Sequence, residues 1–427
     1  WFSLHDRGKV YLALGEHEKA LADLNRAVEL EPRMGLARNT RAKVLQKLNR
    51  ASDALADLNR AVELEPRSVP TRVWRGSLLV KLHRYEEALQ DFDLAAELRP
   101  ESRWVLGQRG NVLVTLGRYE EALQDYDVVV EQSPTAANYQ RRASVNFHLK
   151  NFQDALADLN HAVERKPMDV SVVLSISPER VANCPSPEFR DGMRQLADRV
   201  VKLNDRSPRA LSARLQFFLG LGEWESAQQD LDEILRAEDQ IGHYDLYQAA
   251  LVALATDGQD RYRALCTRMV ETFADSSEAM ELYFTAWTCA LAGGTLKDCA
   301  PALALAQKAV EVEPEDRQFL TGLGAIQMRA GRCESALETL KRAASAGEDE
   351  NTSVAYALYF RAMTENHLDR SEDARRSLAR ANAQAEQELA DLAVPPPWNR
   401  RLTLQLLRQE AEALIGSTES VDEQTNN

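Results

Sequence analysis

An arginine and an aspartate sixteen residues apart recur five times in the first 167 residues: Arg7 and Asp23, Arg41 and Asp57, Arg75 and Asp91, Arg109 and Asp125, Arg142 and Asp158. A guanidinium forks onto a carboxylate through two parallel N–H donors, so pairs locked to one phase suit structural ion pairs, within a unit or between neighbours. The alternative reading is two independently solvated faces. Burial decides what such pairs do: removing one partner of a buried pair is costly, whereas an exposed pair is worth about 0–1 kcal/mol.

No other constellation has the spacing of a reactive centre. His5-Asp6-Arg7 has the letters of a kinase catalytic loop but lacks the downstream asparagine and D-F-G. Gly322-Leu323-Gly324 lies in a helical pattern with no strand before it, which suits helix packing better than a dinucleotide loop. The seven histidines show no H-E-x-x-H spacing, and Cys184, Cys266, Cys289, Cys299 and Cys333 stand singly. An odd number of cysteines without a framework suits a reducing compartment, where buried thiols act as small apolar groups. Glu86-Glu87 and Glu120-Glu121 fall at helix starts, where carboxylates meet the positive end of the helix. The expectation is no catalytic residue, no metal and no cofactor.

The paired charges sit in a repeat. Proline recurs at Pro32, Pro66, Pro100, Pro134 and Pro167, in steps of 34, 34, 34 and 33 residues. With proline at position 32, position 8 is small (Gly8, Ala42, Gly76, Gly110, Ala143) and position 20 is alanine (Ala20, Ala54, Ala88, Ala122, Ala155). Leucine precedes a turn residue at position 15 (Gly15, Asn49, His83, Gly117, Lys150), and larger apolar residues fill positions 21 and 24. Helical spacing on both sides of the turn predicts two antiparallel helices per unit, with positions 8 and 20 facing each other and proline closing the second helix. A bulky residue at Ala88 would overpack that seam at a cost of about 1–3 kcal/mol. Units of this kind bury their apolar faces by stacking, so the fold class is all-α, an α-solenoid of helix hairpins, with roughly a dozen helical pairs over 427 residues.

Small residue at 8, alanine at 20 and 27, and proline at 32 resemble the tetratricopeptide repeat, five times in phase; the departures are Val129 at position 27 and alanine for glycine at Ala42 and Ala143. That resemblance implies a right-handed superhelix whose first helices line a concave peptide-binding groove through positions 2, 5, 9, 12 and 13. These positions hold His5, Lys9, Asn39, Lys43, Gln46, Lys47, Lys81, Trp104, Asn111, Gln140, Phe147 and His148, and no acidic residue. A basic, amide-rich groove with aromatic patches favours an acidic or carboxylate-ended extended peptide. The dicarboxylate clamp of chaperone-binding repeats is incomplete, with Gly107 and Val73 where polar clamp residues could stand. The competing reading makes Trp104 and Phe147 inter-repeat packing and the lysines merely solvated.

Five regular units occupy 1–167, a degenerate repeat or elbow around Pro178, Pro185 and Pro187 occupies 168–208, with helical spacing resuming at Met193–Leu203, and a divergent array follows over 209–393. Thr339 and Ser377 replace the aspartate at position 23 of its last two units. A proline-rich break and an amphipathic capping helix, Trp398–Ile415, fill 394–415, and 416–427 is polar and expected to be disordered. Segments from Tyr262-Arg263-Ala264-Leu265-Cys266 to Arg401–Leu414, including Ala286–Leu291 and Ala355–Met363, resemble the C-terminal repeat region of planctomycete-type serine/threonine protein kinases. That likeness covers about residues 197–415 and implies the tail of a longer signalling protein.

The net charge of −14 lies almost entirely beyond residue 167, and no clustered basic face suggests nucleic acid. No run of about 18 apolar residues suggests a membrane span. The start at Trp1, without a signal-peptide core, reads as a fragment or processed product, and a cytoplasmic location is expected. Three functions remain open: a bacterial docking scaffold for a protein or peptide, part of an active kinase whose catalytic domain lies upstream, and a self-associating structural scaffold.

Overall fold

The computed structural model describes residues 1–237, 241–294, 296, 298–346, 352–390 and 396–416. Every regular element among them is helical. The final polar tail, 417–427, and part of the proline-rich break, 391–395, lie outside the described residues.

In the first five units the first helix (helix A) spans Phe2–Ala13, Gly35–Lys47, Val69–Lys81, Arg103–Thr115 and Ala136–His148. The second (helix B) spans His17–Leu30, Ala51–Leu64, Tyr85–Leu98, Tyr119–Gln132 and Phe152–Arg165. The turn between them needs a left-handed residue at position 15, and Gly15, Asn49, His83, Gly117 and Lys150 all have φ between 58° and 78°. Helix B ends two residues before each proline, as the steric demand of proline on its predecessor requires.

Helix B supplies the buried seam: Ala20, Ala54, Ala88, Ala122 and Ala155 are fully buried, as are Ala27, Ala61, Ala95 and Ala162. The small residue at position 8 meets position 24 most closely, beside the expected position 20, whose carbonyl would stand 3.4 Å from a Cβ on Gly8. A Cβ on Gly8 would lie 2.9 Å from Leu24 Cγ, one on Gly76 2.9 Å from Phe92 Cζ, and one on Gly110 3.1 Å from Tyr126 Cζ. An aromatic ring at position 24 goes with glycine at position 8, as in Gly76 with Phe92 and Gly110 with Tyr126, whereas leucine there is found with alanine (Ala42 and Leu58, Ala143 and Leu159) or with glycine (Gly8 and Leu24). Close packing explains why the larger ring needs the smaller partner, because overfilling the space between two helix axes is destabilising.

The chain forms two compact units, Trp1–Ile176 with Ser186–Leu196, and Ser177–Pro185 with Ala197–Asn427. The first is completed by the start of helix Pro187–Leu203, which begins six residues earlier than the apolar spacing suggests because proline is tolerated in a first turn. Its Phe189 packs on Phe147 and Phe152 at 5.4 and 5.5 Å between ring centroids. Between the arrays the chain runs through a short 3₁₀ turn, Val170–Leu174, and a helix of five residues, Pro178–Ala182.

Among the described residues the second unit holds five hairpins: Pro208–Leu221 with Trp224–Ala237, His243–Ala255 with Gln259–Thr272, Ala279–Ala290 with Ala300–Val312, Arg317–Arg329 with Cys333–Ser345, and Val354–His367 with Ser371–Leu389. Gly322 and Gly324 lie in the middle of a helix, and a Cβ on Gly324 would stand 2.6 Å from Leu340 Cγ, the same contact between positions 8 and 24. The last helix, Trp398–Gly416, packs on Val354–His367, Ser371–Leu389 and His243–Ala255. It runs across several repeats.

The fit between positions 8 and 24 is testable by chemical denaturation. Gly76→Ala is expected to cost about 1–3 kcal/mol through overpacking against Phe92. Adding Phe92→Leu, which recreates the Ala42 and Leu58 combination, is expected to recover most of the loss.

Candidate functional site

In each of the five regular units the arginine at position 7 forks onto the aspartate at position 23. Arg7 donates through Nε and Nη2 to Asp23 at 2.6 and 2.7 Å, and Arg41 to Asp57 at 2.6 and 2.6 Å. Arg75 reaches Asp91 at 2.7 and 2.7 Å, Arg109 reaches Asp125 at 2.9 and 2.6 Å, and Arg142 reaches Asp158 at 2.9 and 2.7 Å. The third nitrogen, Nη1, turns to position 25 of the preceding unit: Arg41 to Asn25 at 3.0 Å, Arg75 to Asn59 at 3.1 Å, Arg109 to Asp93 at 3.4 Å and Arg142 to Asp127 at 2.9 Å. One side chain therefore fixes both the hairpin angle and the stacking of hairpin on hairpin. Two further arginines at position 4 join it: Arg72 bonds Asp91 and the Pro66 carbonyl at 2.8 and 2.6 Å, and Arg38 reaches Asp57 and the Pro32 carbonyl less closely.

Among the described residues the second array carries one such staple that the spacing in the sequence also offers. Arg214 donates to Asp230 at 3.0 and 2.6 Å and to Asp198 at 2.6 Å, with the same spacing of sixteen residues in both directions. That spacing was the available signal. In the last unit the acid comes from a different place: Glu365 accepts from Arg361 at 2.8 Å and from Ser377 at 2.6 Å. In the unit before it, Leu323 stands at the arginine position, and Thr339 bonds its own helix at Ser335.

Burial divides the carboxylates. Asp23 is held below the ordinary aspartate range by its hydrogen bonds from Arg7. Asp125 and Asp230 are pushed above it by burial, against the pull of Arg109 and Arg214. The consequences for stability have opposite signs. The contribution of Asp23 is present above its unfolded-chain pKa and is lost as pH falls through the lowered folded value. Asp125 takes its proton sooner in the folded chain, so its contribution grows as pH falls through the raised value towards the ordinary one.

The residues of the expected groove do not act as one surface. Asn39 is buried and donates to Thr71 Oγ1 of the next unit at 2.7 Å, and His5 is buried 3.0 Å from Thr40 Oγ1. Both are corrected to inter-repeat packing, because the neighbouring helix A supplies a hydroxyl at hydrogen-bond distance. Phe147 is likewise taken up by Phe152 and Phe189. The Lys43 ammonium sits 3.4 Å from the Trp74 ring centroid, and burial lowers its pKa. His148 stacks on Tyr119 at 4.2 Å, and Asn111 accepts from the Tyr126 hydroxyl at 2.7 Å. Gln140 is half-buried.

What stays open on helix A is narrower. Phe2, Leu36 and Trp104, all at position 2, are 63%, 45% and 50% exposed. Positions 2, 9 and 13 share one face of a helix, and Lys9, Lys47 and Lys81 stand exposed at the latter two. Lys9 lies 4.0 Å from Asp6; among the described residues Lys47 and Lys81 pair with no carboxylate.

Among the described residues no group of three or more His, Cys, Asp or Glu could hold a metal ion, and no helix is long and apolar enough to cross a membrane. Cys184, Cys266 and Cys289 are buried, and a hydrogen bond with Cys266 together with burial raises the Cys289 thiol well above its ordinary value.

Hairpins stapled by a shared arginine, with an exposed apolar and cationic face on the first helix, define a stacked-repeat protein. Tetratricopeptide-repeat models match residues 1–34, 39–103, 73–137, 108–169 and 295–351, together about half of the sequence, and the chain belongs to that family. Among solved structures, it is similar to a tetratricopeptide repeat protein from Parabacteroides merdae, at 16% identity and a TM-score of 0.41, over 67% of this chain and 97% of that one. It is also similar to YrrB, described as a TPR protein with an unusual peptide-binding site, at 20% identity and a TM-score of 0.38, over 45% of this chain and 97% of that one. MamA matches at 17% identity and a TM-score of 0.36, over 37% of this chain and 94% of that one. No curated protein matches the chain in sequence.

Two measurements check the staples. Asp91→Ala strands both Arg72 and Arg75 beside a buried seam and is expected to cost about 3–5 kcal/mol in urea denaturation, with Asp23→Ala, whose arginine is exposed, costing clearly less. In a carboxyl NMR titration Asp23 should protonate below the ordinary aspartate value of 3.8 and Asp125 above it.

Proposed function

We propose that this chain is a non-catalytic protein-interaction scaffold whose first array takes an extended, acidic peptide along the open face of helix A. One observation carries the reading: Phe2, Leu36 and Trp104 stay exposed at a single register position, with Lys47 and Lys81 unpaired further along the same face. Apolar side chains of the peptide would cover the position 2 residues, while its carboxylates would meet the lysines. The position 7 arginines are already committed to their staples, so at positions 9 and 13 of this face lysine supplies the charge. Lysine binds as a point charge without a fixed fork, which suits acidic character more than one defined motif.

The resemblance of the second array to kinase-associated repeats supports a docking role within a larger bacterial signalling protein acting in the cytoplasm. A reading frame upstream of Trp1 that encodes the kinase motifs would support that extension, and its absence would remove it.

Binding is checked with a fluorescent Asp/Glu-rich peptide. Lys47→Glu with Lys81→Glu is expected to weaken it at least tenfold without changing the melting curve, and the affinity of the unaltered chain should fall with added salt. Unchanged affinity in the double variant would remove the groove from the proposal.

A further inference from the structure

The helix-A surface that lies open in the first array is covered in the second. Helix Trp398–Gly416 is about 28 Å long at 1.5 Å per residue. It buries Trp398, Leu402, Thr403, Leu404, Leu407, Ala411 and Ile415: its first turns are enclosed on more than one side, and from Leu404 to Ile415 a single stripe faces the array. At one end Trp398 packs against Trp224 at 6.2 Å, and Arg401 donates to the Gly220 carbonyl at 3.1 Å. At the other, Ile415 joins Ala362 and Ala374, and Glu412 accepts from Asn382 at 3.1 Å. Between these ends it passes Tyr247, whose phenol burial pushes up to about 12. One helix thus spans from the first hairpin of this array to the last.

Its attachment has the anatomy of an interface. Apolar anchors run down the middle, and charged groups grip the edges. The principal grip is Arg329, which donates through Nη1 and Nη2 to the two carboxylate oxygens of Glu410 at 2.6 and 2.6 Å. Arg329 is 10% exposed and Glu410 31%. The arginine has other support, since Nε bonds the Ala290 carbonyl at 2.8 Å and the guanidinium lies 5.5 Å from the Phe360 ring centroid. It would therefore keep its place without Glu410, ready for another carboxylate. The fit is also incomplete. A cleft of about 540 Å³ remains beside the helix, lined by the Gly293-Gly294 turn, Arg329, Cys333, His367 and Glu410.

We propose that the helix-A face of the second array is a receptor groove for an amphipathic helix, and that Trp398–Gly416 occupies it as an exchangeable intramolecular ligand. The partner that displaces it is a protein helix with an aromatic anchor and a carboxylate twelve residues later, about 18 Å along its axis, matching Trp398 and Glu410. The two arrays then differ in ligand class: an extended acidic segment for the first, a helix for the second.

The test uses the full chain and a labelled synthetic peptide of residues 398–416, followed by fluorescence anisotropy. Glu410→Arg sets two arginines against each other and loosens the resident helix, so this variant is expected to bind the peptide at least tenfold more tightly than the unaltered chain. The double variant Arg329→Glu with Glu410→Arg restores an opposite pair and is expected to return to weak binding. Hydrogen exchange in Glu410→Arg should rise in 398–416 and in the helix-A segments beneath it, leaving 1–165 unchanged. Two results overturn the proposal. One is a Glu410→Arg chain that melts cooperatively yet takes up no peptide; the other is a Glu410→Arg chain whose second array no longer melts cooperatively, which would make the helix part of the core. Neither bears on the lysine face of the first array.

Discussion

The arginine at position 7 is the constraint on which the regular array depends. A stacked repeat must fix two angles, that of helix A on helix B and that of one hairpin on the next, and unaided hydrophobic packing tolerates small rotations in both. A planar guanidinium with three nitrogens committed removes that freedom. Two of them hold the aspartate of its own hairpin and the third holds position 25 of the hairpin before. The desolvation of such a group has to be offset by complete hydrogen bonding, and the aspartates are the more buried partners throughout. Arginine is the residue that suits the task, because a lysine could satisfy one partner closely but not the fork.

The second array shows what happens when that device is relaxed. Arg214 keeps it, the unit with Leu323 and Thr339 does without it, and the last unit rebuilds it with Glu365 reaching from one turn further along helix A. Replacing an ion pair by apolar or weakly polar groups need not cost stability, provided no charge is left alone. These units meanwhile gain burial that the first array lacks. Their first helices are covered nearly all round, as the buried faces of His243–Ala255, Arg317–Arg329 and Val354–His367 show.

Much of this was legible in the residues, and the rest was not for definable reasons. The period exposes every position that repeats, so the hairpins, the turn at position 15 and the spacing between Arg75 and Asp91 can be read directly. Partners that do not repeat cannot be found this way. Glu365 enters at a position where no other unit has an acid, and position 25 alternates between asparagine and aspartate, which hides its common role as acceptor. The helical face carrying Asn39 and His5 was readable, but their burial follows from hydroxyls at Thr71 and Thr40, one unit on. The amphipathic character of Trp398–Gly416 is plain in the sequence. Its destination is not, because the pairing of Arg329 with Glu410 bridges eighty-one residues.

The reach of the arginine to position 25 has a consequence for how such a chain can change length. Every regular hairpin offers the same donor at one edge and a side-chain oxygen at the other, so hairpins joined in a new order, or with one unit lost or duplicated in frame, would still meet a matching edge. The ends of the series are different. The unit with Leu323 has given up the donor and offers no such edge to a copied hairpin.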